Sequence, residues 1–179
     1  MKKFFVSLFA AVLLVISSAH AQTEKGDWMI GGSMTISTAT NYSQFALEPS
    51  AGYFFAKNFV AGASFSLDFG KTGNQKTTSE SVGPFVRYYF DVKSPSFKPF
   101  LHAEYNIGNI VTKFPDSKSS NTIGNFLLGA GGAFFINNNV ALEAVAGFNH
   151  TKVQGLSAEN GFLFKLGFQV YLLGSQVRK

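Results

Sequence analysis

Along most of this chain bulky apolar residues recur at every second position, with Gly, Ser or a charged residue between them. The stretch near the C-terminus shows the pattern plainly. Phe162, Phe164, Leu166, Phe168, Val170 and Leu172 share one face of a strand, and Lys165, Gly167, Gln169 and Tyr171 share the other. A strand with one bulky apolar face and one small or polar face suits a wall between lipid and a narrow lumen. Turn residues divide the chain into stretches at 26–38, 43–55, 59–70, 77–91, 97–109, 121–136, 139–150 and 160–173. The expected fold is all-β, an eight-stranded antiparallel transmembrane β-barrel. Pro49, Pro84 and Pro99 fall inside these strands, where each removes a ladder hydrogen bond. A soluble carrier of lipocalin type would show the same alternation with its faces exchanged. Here the non-apolar face is mostly Gly, Ala and Ser with a few charges, too small and uncharged for a solvated exterior.

The connections alternate in character. Three are short and place paired aromatics before polar residues: 54–58, 89–93 and 134–139. Together with Trp28 and Tyr171 they predict an aromatic girdle at a periplasmic interface, where amphipathic rings are favoured. The intervening connections, 70–77, 109–121 and 151–159, are rich in Ser, Thr, Lys and Gly and read as extracellular loops, which puts both termini in the periplasm.

Composition and the N-terminus agree with export to a membrane. Charged residues make up 14% of the chain and aromatics 16%, which is poor in charge for an ordinary soluble surface. The longest apolar run after the N-terminal segment, Phe126 to Ile136, is broken by glycines and falls short of a spanning helix. Lys2 and Lys3, the apolar run Phe4 to Ile16, and Ala19-His20-Ala21 form a signal peptide with its cleavage site. Residues 1–21 are therefore read as removed and 22–179 as one barrel domain. Taking Lys2 and Lys3 from the 15 basic residues leaves 13 against 10 acidic ones, a formal +3 too small and scattered to suggest nucleic acid. The absence of Cys excludes disulfides and thiolate metal sites.

The chemistry that can be read lies inside. Alternation turns Glu48, Asp68, Arg87, His102, Glu104, Glu143 and Lys165 inward, since their neighbours are apolar and a lipid-facing Arg or Lys near the midplane costs about 2–4 kcal/mol. Counting from the short turns predicts two layers: Arg87, His102 and Glu143 lower down, and Glu48, Glu104 and Lys165 near mid-height. Such networks would plug an eight-strand interior, which is just wide enough for side chains to fill. A conducting path is the alternative; with His102 neutral, the acidic excess in this set would favour cations. No nucleophile, metal-ligand or phosphate-loop pattern occurs, so neither catalysis nor a cofactor is expected. The sequons at Asn41 and Asn149 are read as chance.

Three segments carry a likeness to a known family. PSAGYFFAKNFVAGA (Pro49 to Ala63), GPFVRYYF (Gly83 to Phe90) and KPF (Lys98 to Phe100) resemble the small outer-membrane β-barrel proteins of the OmpA/OmpX-like, porin-like superfamily, especially versions common in the Bacteroidetes. The resemblance implies a Gram-negative outer-membrane location for essentially the whole exported chain, and says little about activity. Lys165, Gly167, Val170 and Leu172 are similar to a barrel-assembly signal, which implies the barrel-assembly machinery as a partner; the signal usually ends the chain, whereas Gly174 to Lys179 continue here. His150 invites comparison with barrel deacylases that carry His-x-Ser, but the third residue is Lys152. The expected role is a non-enzymatic barrel whose extracellular loops, Ile110 to Ser120 and Thr151 to Asn160, form the contact surface for an external ligand. Lys113, Lys118 and Lys152 would there meet anionic lipopolysaccharide. The competing reading is a narrow porin for small solutes or ions.

Overall fold

The computed structural model of the protein describes residues 23–94, 96–115 and 117–174; the expected signal segment and the end of the C-terminal tail lie outside the described residues. Eight strands follow one another: β1 (Trp28–Ala39), β2 (Tyr42–Ala56), β3 (Phe59–Thr72), β4 (Gln75–Tyr89), β5 (Phe97–Lys113), β6 (Lys118–Phe135), β7 (Val140–Val153) and β8 (Glu159–Leu172). Each pairs antiparallel with its chain neighbours, and β8 returns to β1, so the sheet closes into a barrel. Closure leaves no sheet edge for lipid to meet, which an open sheet could not achieve.

The alternation decides which way each residue points. Apolar side chains of the outward face stand open, with Leu101 50% and Phe164 58% exposed, while Arg87, at 7%, and Glu104, at 3%, are buried inside. Charges within and bare hydrocarbon without is the reverse of a water-soluble carrier, and it is the arrangement lipid requires. The prolines fit because each spoils one ladder only. The β2–β3 ladder passes from Leu47↔Leu67 to Ser50↔Ser64, and the β4–β5 ladder from Val82↔Ile107 to Phe85↔Glu104, with the register unchanged. On their other sides Pro49 pairs with Gly32 and Pro84 with Ala63, since a residue without an N–H loses a donor and keeps its acceptor. Pro99 pairs with Gly132 in β5–β6.

At the end where the described residues begin and stop, the near end, outward rings pack at a tilt, Trp28 with Tyr53, Phe55 with Phe59, Phe59 with Tyr88, and Phe97 with Phe134, and Tyr88 meets Phe90 edge to face, centroids 4.6–5.4 Å apart. Tyr171 is not in this girdle, contrary to expectation. It is fully buried in the lumen, as are Phe54 and Tyr89. Adjacent residues of a strand face opposite ways, so each aromatic pair at a turn sends one ring out and one in.

The far end differs from expectation more. The segments read as long loops are mostly strand: β5 and β6 run through Ile110–Lys113 and Lys118–Ser120 with Thr112↔Ser119 paired, and β7 continues to Val153. The connections that remain are the short spans 40–41, 73–74, 114–117 and 154–158. Asn41 (φ 60) and Gly73 (φ 57) supply the left-handed conformation that the two tightest of them need. Beyond the lipid a strand needs no apolar face, so polar Ser, Thr and Asn positions keep pairing after the alternation in hydrophobicity has faded.

Candidate functional site

The lumen holds the charged side chains that the alternation turns inward and divides into a filled half and an open half. In the near half, β4 presents Phe85, Arg87 and Tyr89 on its inward face. The Arg87 Nη1 donates to Glu143 Oε2 at 2.6 Å and to the Tyr89 hydroxyl at 3.2 Å, and its Nε donates to His102 Nδ1 at 2.9 Å. The guanidinium lies 4.6 Å from the centroid of the Phe100 ring, a buried cation–π contact. Glu143 Oε1 accepts from the Tyr171 hydroxyl at 2.8 Å, and the Tyr89 and Tyr171 hydroxyls lie 2.9 Å apart. Met29, Phe54, Val60, Phe85, Phe100 and Val145 pack around this centre. The expected polar plug is therefore an apolar and aromatic core with one ion pair at its heart.

His102 joins this core to the layer above. Because its Nδ1 accepts from Arg87, the ring proton belongs on Nε2, which faces Glu104 Oε2 at 3.1 Å. Glu104 also accepts from Asn106 Nδ2 at 2.6 Å, from the Ser64 hydroxyl, and from Lys165 Nζ at 3.1 Å. Lys165 Nζ reaches both Glu48 oxygens, at 2.7 and 2.8 Å. What sequence counting separates into two layers is one continuous chain, Glu143–Arg87–His102–Glu104–Lys165–Glu48, drawn from β2, β4, β5, β7 and β8. Every charge in it has an opposite neighbour, which is the condition for burying charge at tolerable cost. Asp68 is not part of it. It accepts from Gln44 Nε2 at 3.3 Å and from the Ser66 hydroxyl at 2.9 Å, higher in the barrel.

Above Lys165 and Glu48 the lumen opens into a vestibule of about 390 Å³, lined chiefly by small polar side chains of all eight strands, among them Ser66, Ser79, Asn125, Asn149 and Thr151. Asn125 Nδ2 donates to Asn149 Oδ1 at 2.7 Å and to Thr151 Oγ1 at 2.8 Å. Below the Lys165 layer, the void among Ser50, Arg87, Glu143 and Gln169 is about 20 Å³, room for about one water. The passage narrows there to less than any solute would need.

The near mouth is covered as well. The segment before β1 lies across it: Asn58 N donates to Thr23 O at 2.7 Å, Asn58 Nδ2 to Asp91 Oδ2 at 2.8 Å, and Lys98 Nζ to Thr23 Oγ1 at 2.7 Å and Asp91 Oδ1 at 3.3 Å. Asn58 holds φ at 62°, a conformation Asn tolerates better than most residues. The hydrogen bond from Asn58, helped by Lys98, keeps the Asp91 carboxyl below its ordinary range. Sequence reasoning found neither this clasp nor the tyrosine pair. Parity alone placed Tyr89 with Arg87 and Phe54 with Glu48, and that signal was available.

The remaining expected sites stand apart. Lys113 and Lys118 end β5 and begin β6, and Lys152 lies within β7, so all three belong to strands and not to loops. His150 Nδ1 meets Asn160 Oδ1 at 2.6 Å, not a serine or a carboxylate. Among the described residues no group of three or more His, Asp or Glu is placed to hold a metal ion.

Comparison with known proteins places this geometry. Residues 7–170 match the model of the outer membrane protein β-barrel domain. The fold is similar to that of Neisserial surface protein A, at 21% identity and a TM-score of 0.62 over 80% of this chain and 94% of that one. It is also similar to the N-terminal β-barrel domain of Pseudomonas aeruginosa OprF, at 15% identity and a TM-score of 0.55 over 83% and 98%. No curated protein matches the chain by sequence.

Proposed function

The chain belongs to the outer membrane protein β-barrel domain family, and we propose that it serves the outer membrane as a closed, non-conducting and non-enzymatic barrel that holds a rigid rim outside the cell. We take the near end, with its short turns and both termini, as periplasmic and the far end as extracellular, as in barrels of this kind. The observation that carries the reading is the buried chain from Glu143 to Glu48, set on an aromatic core and covered at its mouth by residues 23–27. A solute entering the vestibule meets Lys165 bound to two carboxylates and then a void of water size. Because the far-end connections are short, the surface offered to partners is the raised wall of β5, β6 and β7 more than mobile loops.

Conductance of the refolded barrel in a planar bilayer, with heat-shifted gel mobility to show that it has folded, tests this directly. Wild-type protein should be silent, and so should the triple substitution Glu48→Ala, Glu104→Ala, Lys165→Ala, because the aromatic core below that layer stays in place. A steady step from wild type would sink the closed-barrel reading in favour of a narrow channel. The vestibule is the feature that favours that second reading, since it carries water to within one layer of the core.

A further inference from the structure

The strand register places four lysines side by side on the outer wall of the far rim. Lys71 on β3 is the cross-strand partner of Lys76 on β4, Lys76 is the partner of Lys113 on β5, and Lys113 is the partner of Lys118 on β6. All four are exposed. Their parity is that of the lipid face: Lys71 follows Phe65, Leu67 and Phe69 on β3, Lys76 precedes Val82 and Val86 on β4, and Lys113 and Lys118 share the outward side with Ile107 and Phe126. Directly opposed side chains have Cβ atoms about 4.5–5.5 Å apart, and like charges at that spacing destabilise a sheet. Here the unfavourable pairing is repeated three times in succession. Among the described residues none of the four has a carboxylate partner; Asp116, between β5 and β6 in sequence, lies outside them.

Height on the wall says what the row meets. Between it and the apolar Val82, Ile107 and Phe126 lie Thr78, Glu80, Asn109, Ser120 and Thr122 with Val111 among them, and Phe69 adjoins Lys71, a mixed polar and apolar band as expected where hydrocarbon gives way to headgroups. Three strand spacings give the row a span of about 14 Å, enough for adjacent lysines to share more than one phosphate. Lys152 is not a member. It lies opposite Gly124, further down β6, and its Nζ donates to Leu156 O at 2.6 Å.

We propose that Lys71, Lys76, Lys113 and Lys118 form a binding site for the phosphomonoester groups of an outer-leaflet glycolipid, whose charge relieves the repulsion built into the register. The site rests on the outer-membrane orientation above and is indifferent to whether the lumen conducts, so a conducting barrel would not count against it. The test compares wild type with the Lys71→Gln, Lys76→Gln, Lys113→Gln, Lys118→Gln variant, each verified as folded by heat-shifted mobility, in phosphatidylcholine bicelles with and without bisphosphorylated lipid A. The variant should bind lipid A bicelles weaker by up to about a thousandfold, at about a factor of five per lysine, and the difference should shrink in high salt. In plain phosphatidylcholine its unfolding midpoint should equal or exceed that of wild type, and lipid A should reverse that order. A control with Lys25→Gln, Lys57→Gln and Lys93→Gln, at the near end, should bind as wild type does. Equal binding by the quadruple variant overturns the site. So does full competition by inorganic phosphate, which would make the ligand a free anion, or equal binding of phosphatidylglycerol, which would make it any anionic surface. Should the quadruple variant fail to fold, Lys76→Gln with Lys113→Gln, at the centre of the row, carries the same test.

Discussion

In the near half of the lumen the inward positions of β2, β4, β5 and β8 carry Phe54, Tyr89, Phe100 and Tyr171, all buried; further along the same strands they carry Gln44, Thr77, Ile110 and Leu163, which line open space. The backbone is the same closed ladder in both halves. What differs is side-chain volume and the way charge is partnered. Large rings leave room for about one water, and the Arg87–Glu143 pair they enclose draws its hydrogen bonds chiefly from protein atoms. Small hydroxyls and amides leave a vestibule in which water can replace any partner that is lost. One wall thus holds a rigid stopper and a solvated cup, and a substitution should be felt according to which half receives it.

The largest effect should come from breaking the pair. Replacing Arg87 by Ala leaves Glu143 buried at 5% exposure with only tyrosine hydroxyls for company, and removing one partner of a buried pair costs about 3–5 kcal/mol. A urea titration in detergent or bilayer should show the midpoint fall accordingly. Adding Glu143→Gln to Arg87→Ala should recover part of the loss, since the stranded charge goes with it. An unchanged midpoint for Arg87→Ala would mean that water reaches the near half as freely as the far half, and the contrast between them would be gone.

Acid tests the cover of the near half. Asp91 is held by Asn58 and Lys98, and its carboxyl lies below the ordinary range in the folded protein. A carboxylate with a depressed folded value contributes stability above its unfolded pKa of about 3.9, and that contribution is lost as the pH falls through the folded value. Asp91 is more than half exposed, so solvent screening keeps the effect small. The clasp over the mouth should therefore loosen below about pH 4 while the barrel stays closed, read as faster amide exchange at Asn58 and Gly26, whose N–H groups bond to Thr23 and Phe54. Asp91→Asn should remove the pH dependence; exchange that ignores pH in wild type would show that the carboxylate contributes nothing to the cover.

How much of this was legible depends on the kind of information. Period-two alternation decides a face, and it turned Arg87, His102, Glu104, Glu143 and Lys165 inward because each sits between residues that must meet lipid. Which of them touch is set by stagger between strands far apart in sequence, such as the 117 residues separating Glu48 from Lys165, and no local pattern records that. At the near turns an aromatic ring says less than its parity does, since Tyr171 shares the inward face with Lys165 and Gln169. The far ends of β5, β6 and β7 look like loops in sequence because hydrophobic contrast marks a strand only where it meets lipid, and that contrast stops where lipid stops. The lysine row was hidden for a further reason: Lys71, Lys76, Lys113 and Lys118 become neighbours only once three registers are known.

The smallest effect should come from the cup. Asn125 donates to Asn149 and Thr151 at 2.7 and 2.8 Å, distances as short as many in the near half, so distance alone would rank these bonds with the stopper's. The physical difference is the alternative each group has when its partner leaves. A hydrogen bond contributes about 0.5–1.5 kcal/mol net, and the large penalty arises only when the remaining group is stranded without water. Asn149 and Thr151 line the open vestibule, so Asn125→Ala should shift the unfolding midpoint by about 0.5 kcal/mol or less. Filling the same space tests the converse, because Ser66→Phe adds a ring where there is volume for it and should leave the barrel folded with a shallower vestibule. If Asn125→Ala cost as much as Arg87→Ala, the far half would be as dependent on its own side chains as the near half, and its openness would be an accident of shape with no energetic meaning.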